Sequence, residues 1–414
     1  MHKQKWGKVG LLSVVSLSML LTVGCGDSKE TASTTDTTTS AGNKEPIKIG
    51  VVTSRSGAVE AYGTQELNGL KLGIEYATGG KNEVEGRKIQ LVVEDDAGKP
   101  DEGIKKARKL LEEDNVDILQ GSASSAVAAA IAPLAEEYKK IYMIDPAAAD
   151  DLTGKNFNKY IFRTGRNSSQ DSLTGAKYAV DNLGKTYFSL APDSVFGKSS
   201  AGAWKGVIEK EGGKISQEEY APQDVKDFTP YLQKAVQSKA DVLLISWAGA
   251  GGAMLFKQIA ELKINDKMKV TTGIPDIAGI KAMGEGAVGL QGMTAYYYGL
   301  PKNKENDWLV EHHQKDFNAP PDLFTAGGFT AGIAIVEGIK KAHSTDAEKL
   351  ISALEGMTVH GAKGEYTFRK EDHQAIQPMY VVKLEKKDGV DYLVPTLIKE
   401  MSPQDTAPPI NNKK

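Results

Sequence analysis

Cysteine is almost missing from this chain: among 414 residues there is one, Cys25. A lone thiol closes no internal disulfide, so the fold has to be held by its apolar core. A large excess of charge of either sign is missing as well. The chain has 51 basic and 54 acidic residues, a formal net charge of −3, and no basic stripe, which argues against a nucleic-acid partner. No apolar run is long enough for a confident membrane span, Val9–Val23 being too short. Neither HExxH nor CxxC occurs, and His312 and His313 are neighbours on a helical pattern, so they point in different directions and make no chelating pair. Gly197-Lys198-Ser199 imitates the end of a phosphate-binding loop, but Pro192 stands where that loop needs its first glycine. Asp95-Asp96 and Asp150-Asp151 read as turn and cap residues rather than metal ligands. With no nucleophile–base–orienter set in view, neither catalysis nor a metal or cofactor is expected.

At the start of the chain, Lys3, Lys5 and Lys8 precede the apolar run, and small residues follow near its end, the pattern of an export signal over residues 1–24. The run ends Leu21-Thr22-Val23-Gly24-Cys25. This resembles the lipobox of bacterial lipoproteins, with Thr22 where leucine is usual, and the resemblance implies a lipid on Cys25. Residues 25–45 are rich in Ser and Thr and too poor in apolar groups to offset chain entropy, so a flexible tether is expected. The layout implied is lipid, tether and globule, on the extracytoplasmic face of a cell membrane.

From residue 46 onward strands and helices alternate, which predicts an α/β fold with helices wrapped on parallel sheets. Ile47–Thr53, Ile89–Glu94, Val116–Gly121, Ile141–Ile144 and Tyr160–Arg163 read as strands of a first unit. Thr186–Ala191, Asp241–Ser246 and Lys269–Thr272 read as strands of a second, and Tyr380–Leu384 with Tyr392–Leu397 as a late hairpin. Two such units without a linker imply two lobes, and a cleft between lobes is the default ligand site. The stretch Val116–Asp151 organises the first lobe. Its apolar strand turns at Gly121, and Ser124 or Ser125 stands where a helix N-cap belongs, ahead of Val127, Ile131 and Leu134 at helical spacing. Free N–H groups at that helix start, beside Ser hydroxyls, make a seat for a carboxylate. In the second lobe Phe196, at a helix start, reads as an aromatic wall or as core. Trp247, at the carboxyl end of a strand, reads as a ligand contact or a half-buried core residue. His373 reads as a polar contact in a connection between the lobes.

Several stretches in this order, IKIGVVTSRSG with a following Tyr62-Gly63, GRKIQLVVEDDAGKP, ILQGSASSAVAAAIAPLAEE, IDPAAADDLTG, YIFRTGRNSSQ and TFRKEDHQAIQPMYVV, resemble the type I periplasmic-binding family. The branch is that of branched-chain amino acid and amide-type substrate-binding lipoproteins of ABC importers, and the resemblance spans about residues 46–398. It implies two doubly wound parallel-sheet lobes joined by a three-stranded hinge, with lobe 1 at 46–163 plus 296–368, lobe 2 at 168–293 plus 378–400, and a polar tail at 401–414. By the same resemblance Ser125, with Ser124, meets the ligand carboxylate, backbone groups of Ala147, Ala148 and Ala149 serve it, and Tyr62 and Phe196 flank it. The family commonly has Thr at the position of Ala149 and Tyr at that of Phe196. An acid of the second lobe balances the ligand ammonium, and Asp276 is the candidate; otherwise the ligand is an amine-free aromatic or short-chain acid. The implied partners are a small-molecule ligand and ABC permease subunits, with the chain a monomer. A ligand-sensing lipoprotein that presents its closed form to a receptor is the alternative.

Overall fold

The computed structural model describes residues 44–412; the export signal, Cys25 and most of the tether expected above lie outside them. Six strands, β1 (Ile47–Thr53), β2 (Glu83–Val84), β3 (Arg87–Asp95), β4 (Ile118–Gly121), β5 (Ile141–Ile144) and β6 (Ile161–Arg163), form a sheet in the order β2-β3-β1-β4-β5-β6. All its pairings are parallel except the β2–β3 hairpin. Central β1 is an apolar, β-branched run buried along almost its whole length, as a strand covered on both faces must be. A second, fully parallel sheet joins β7 (Thr186–Pro192), β8 (Lys214–Ala221), β9 (Val242–Ile245) and β10 (Lys269–Thr272) in the order β10-β9-β7-β8. The remaining strands are β11 (Gln291–Thr294), β12 (Thr358–Gly361), β13 (Gly364–Phe368), β14 (Ala375–Ile376), β15 (Met379–Glu385) and β16 (Val394–Met401). They form two antiparallel sheets, β11-β15-β16 and β12-β13-β14.

Three apolar cores lie among the described residues; one packs Tyr187, Val242 and Leu244 of the second sheet against Trp204 and Met293. A second joins β1, β4, β5 and β6 to Phe329, Tyr366 and Phe368. Another joins Leu243 and Ile245 of β9 to Tyr380, Val382 and Leu384 of β15, so the late antiparallel strands complete this core of the second sheet. Gly273 bridges Met293 in parallel, extending that sheet toward β11. A short bridge between Arg163 and Gln374 ties the end of β6 to the chain segment leading into β14.

The tightest helix pair carries the site. Helix Glu60–Ala77 lies against helix Thr325–Ala342 with glycines at the crossing. A Cβ on Gly69 would stand 2.1 Å from the carbonyl oxygen of Thr325, and one on Gly328 2.0 Å from that of Glu66. Backbone on backbone at this range brings the two helix starts together, so the Tyr62 and Phe324 rings meet with centroids 4.4 Å apart.

Some expected elements differ. Lys214–Ala221 is an edge strand with the polar sequence KISQEEYA, which has no apolar run to mark it. The apolar Gly289–Tyr298 yields only the four-residue β11, after which Tyr296 turns back into the core of the first sheet. The residue read as an ammonium partner, Asp276, instead stands at the N-cap of a helix not foreseen, Ile277–Met283. Replacing Gly69 or Gly328 by alanine is expected to lower the unfolding free energy by about 1–3 kcal/mol through overpacking, read from the urea midpoint. An unchanged midpoint would remove the helix crossing as a constraint on the site.

Candidate functional site

A cavity of about 310 Å³ lies at the carboxyl ends of strands from both parallel sheets, where open α/β sheets place their ligands. From the first sheet's side it is walled by Ala58, Val59 and Tyr62, by Ala97, Gly98 and Pro100, by the Ser turn 123–126, and by Pro146 with Ala148. From the other side come Pro192, Ser194, Val195, Phe196, Gln223 and Ala248, while Arg166 and Phe324 also line it. Its roof is built of hydrogen bonds between the two sides. The N–H of Gly249 donates to the Tyr62 hydroxyl at 3.0 Å, and the N–H of Ala250 to the carbonyl of Ala58 at 2.8 Å. Burial pushes the Tyr62 phenol up to about 12, so it stays protonated.

The Ser turn is assembled by a buried carboxylate. Asp96 accepts from the hydroxyls of Ser54 and Ser122, both at 2.6 Å, and from the N–H of Gly98 at 2.8 Å, tying together the loops that follow β1, β3 and β4. Ser124 then caps helix Ser125–Glu137. Ser125, in the first turn, accepts at its hydroxyl oxygen from the N–H groups of both Ala148 and Ala149, each at 3.2 Å. Those two bonds take up the oxygen's lone pairs, so the hydroxyl has only its proton left to offer. Ser125 also lines the cavity. It is therefore an oriented donor beside the unpaired N–H groups of a helix start, which suits an anionic oxygen.

Of the residues singled out from sequence, Tyr62, Ser124, Ser125, Ala148 and Phe196 line the cavity. Trp247 lines a smaller chamber of about 70 Å³ that shares Tyr62, Arg166, Phe196, Ala248 and Phe324 with it. Ala147 and Ala149 line neither, because they are buried behind Ala148 with their backbone groups engaged. Ala147 N–H donates to Ser122, and Ala149 accepts at its carbonyl from Arg163. Asp276 lines neither chamber: its carboxylate accepts from Gly279 N–H at 2.9 Å and from Gln65 at 3.1 Å. The sequence reading missed Arg166 and Phe324. Arg166 follows β6 inside a predicted connection between the lobes, and a cation at such a crossing was the available signal.

Two parallel sheets facing one cavity, with a Ser-turn seat at a helix start, constitute a recognisable arrangement. Residues 46–389 match the sequence model of a family described as periplasmic binding protein. The chain belongs to that family. It is a type I periplasmic binding protein, and the members of this family are solute-binding proteins of ABC transporters. The Leu/Ile/Val-binding protein BraC3 of Rhizobium johnstonii is 27% identical over 327 residues, which cover 78% of this chain and 87% of that protein. An ABC-type branched-chain amino acid transporter structure from Rhodopseudomonas palustris CGA009 is 41% identical with a TM-score of 0.77, covering 89% of this chain and 100% of that one. A solute-binding protein from Rhodopseudomonas palustris BisB5, solved with 3,4-dihydroxybenzoic acid, is 27% identical with a TM-score of 0.79, covering 86% and 97%. No helix among the described residues of the binding protein is long and apolar enough to cross a membrane.

Beneath the cavity the binding protein buries a cluster of charges. The Arg166 guanidinium donates through Nη1 to the Pro146 carbonyl at 3.0 Å, and its Nε stands 3.4 Å from Asp171 Oδ1. Arg166 also lies over the Phe324 ring, 5.4 Å from its centroid. Burial pushes Asp145 up to about 7 against the pull of Arg166 and Lys363, and pushes Asp171 up to about 6. It lowers Lys363 to about 7. For Asp145 the native state binds more protons than the unfolded chain between pH 4 and 7, so its contribution falls as pH rises through that window. Asp145→Asn is accordingly expected to gain stability relative to the parent between pH 5 and pH 8, measured by urea unfolding at each pH. A difference that does not change with pH would mean that Asp145 is not held partly protonated.

Proposed function

We propose that this binding protein captures a small carboxylate between its two lobes and delivers it to the permease of an ABC importer. The single observation that carries this reading is the Ser125 hydroxyl, saturated as an acceptor and left to donate into the cavity. It is supported by the setting, a helix N-terminus on one side and Arg166 as the sole cationic side chain among the described residues of the cavity wall. On this reading the lobes are residues 46–163 plus 296–368 and 168–293 plus 378–400, hinged where the chain crosses near Arg163–Ser168, Thr294–Tyr297 and Arg369–Gln377. The ligand seats on the Ser turn, and closure completes the roof between Tyr62 and Gly249. Only the contacts made in the closed form favour closure.

The branched-chain relatives favour an amino acid as ligand. One observation favours an amine-free acid instead: among the described residues the cavity wall contains no carboxylate, and Asp276, the acid expected to meet an ammonium, is occupied in capping a helix. The rings of Tyr62, Phe196 and Phe324 on that wall suit an aromatic body. Cys25 is read as the lipid-bearing residue that holds the domain at the membrane.

Ser125→Ala is expected to weaken the bound acid by about 1–3 kcal/mol, measured by calorimetric titration. Equal affinity in parent and variant would withdraw the carboxylate seat. A Cys25→Ser protein is expected to leave the membrane fraction for the soluble one, and its retention with membranes would contradict the anchor.

A further inference from the structure

Two carboxylates from distant parts of the chain meet at one helix start. Asp276 caps helix Ile277–Met283, accepting from Gly279 N–H at 2.9 Å, while the N–H of Ile277 is taken by Asp322, 3.0 and 3.2 Å from its two oxygens. Asp322 also accepts from Leu323 N–H at 2.8 Å. Gln65 completes the set: its amide nitrogen donates to Asp276 at 3.1 Å, and its amide oxygen accepts from Phe324 N–H at 3.1 Å. On the reading of the lobes given above, Gln65 and Asp322 belong to lobe 1, Asp276 and Ile277 to lobe 2, so two side chains of lobe 1 reach across the seam. The same stretches wall the smaller chamber, through Pro275 on one side and Leu323 with Phe324 on the other.

Closing this seam brings like charges together. Asp276 is buried and Asp322 half-buried, and the cations of the region are engaged with other acids. Arg166 faces Asp171 at 3.4 Å, and Lys281 of the capped helix pairs with Asp391 at 2.8 Å. The other titratable groups facing Asp322 are the phenols of Tyr62, Tyr296 and Tyr392, each pushed up by burial and therefore neutral. Burial and the charge of Asp276 push Asp322 up to about 7. Parting the lobes returns Asp322 to water and takes Asp276 away, so its carboxyl falls back toward the usual value of about 4. Between these two values the closed form binds more protons than the open one, so closure is favoured at low pH and loses that support as pH rises through about 7. A protonated carboxyl keeps an oxygen that accepts, so the bond from Ile277 survives the proton while the repulsion does not.

We propose that Asp322, Asp276 and Gln65 form a proton-sensitive latch between the lobes, in which uptake of one proton by the carboxylate pair favours the closed form. Asp322 is a positioning residue: it lines neither chamber and acts on a solute through Leu323 and Phe324. This rests on the reading of two hinged lobes.

The test is the separation of spin labels on Lys99→Cys and Lys226→Cys, measured by pulsed electron resonance at pH 5 and pH 8. Both positions are exposed and flank cavity-wall residues Pro100 and Gln223 on opposite sides of the cleft. The protein is the full chain with Cys25→Ser, dialysed free of ligand. The ratio of short to long separation is expected to be at least about tenfold higher at pH 5 than at pH 8. Asp322→Asn is expected to abolish that dependence and raise the short share at pH 8. Asp276→Asn, which keeps an N-cap side chain, is expected to reduce the dependence at least about threefold. Two separations whose ratio ignores pH in the parent, or a dependence that Asp322→Asn leaves intact, overturn the latch while the lobes stand. A single separation at both pH values in every variant overturns the hinged lobes, and the latch with them.

Discussion

One hydroxyl sets the geometry on which the rest depends. By accepting from two consecutive backbone N–H groups, Ser125 fastens the loop after β5 to the helix that follows β4 and loses any freedom to act as an acceptor. Asp96 does the same one layer down, clamping Ser54, Ser122 and Gly98. The Ser turn is therefore ordered by the protein's own hydrogen bonds. Its rigidity comes from short polar bonds within the first sheet's loops, while the opposite wall is built of aromatic and small side chains.

Below the cavity the logic reverses, and charge is buried where chain segments cross. Arg163 is fully buried and reaches the Ala149 carbonyl at 2.6 Å, Thr153 and Gln374, so one side chain links β6 to two other segments. Burial lowers its guanidinium to about 10, yet it remains charged at neutral pH. Buried ions are poor sources of net stability, but removing one partner is costly, so such groups favour one arrangement over others. Arg163, Arg166, Asp145 and Lys363 all lie at this level. A crossing built so is specific rather than merely tight.

Much of the frame is visible in the linear chain, since apolar runs bounded by Gly, Ser and Pro mark β1, β4 and β5, and helical spacing marks the helix between the last two. The Ser turn and its helix start were legible for the same reason: a Ser ahead of a periodic apolar face is a local signal. The capping role of Asp276 was legible too, because an acid three residues before Gly279 at the start of a short apolar stretch is an N-cap pattern. What stayed hidden was sideways adjacency. Arg166, Ser246 and Phe324 are far apart along the chain and meet only because the sheets face each other and glycines let two helices close to contact. Ala147 and Ala149 illustrate a finer limit: neighbours in a loop alternate in direction, so of three alanines only the middle one reaches the void.

The roof has an optical consequence. Ala250 gives its N–H to Ala58 across the gap and takes, at its carbonyl, the indole N–H of Trp247 at 3.0 Å. The indole, set edge-on against Phe228, is thereby wired to the same residue that bridges the two sides. Any rearrangement of that bridge changes the polarity and hydrogen bonding felt by the fluorophore. Trp247 is thus a built-in reporter, whose emission reads the state of the gap without a label.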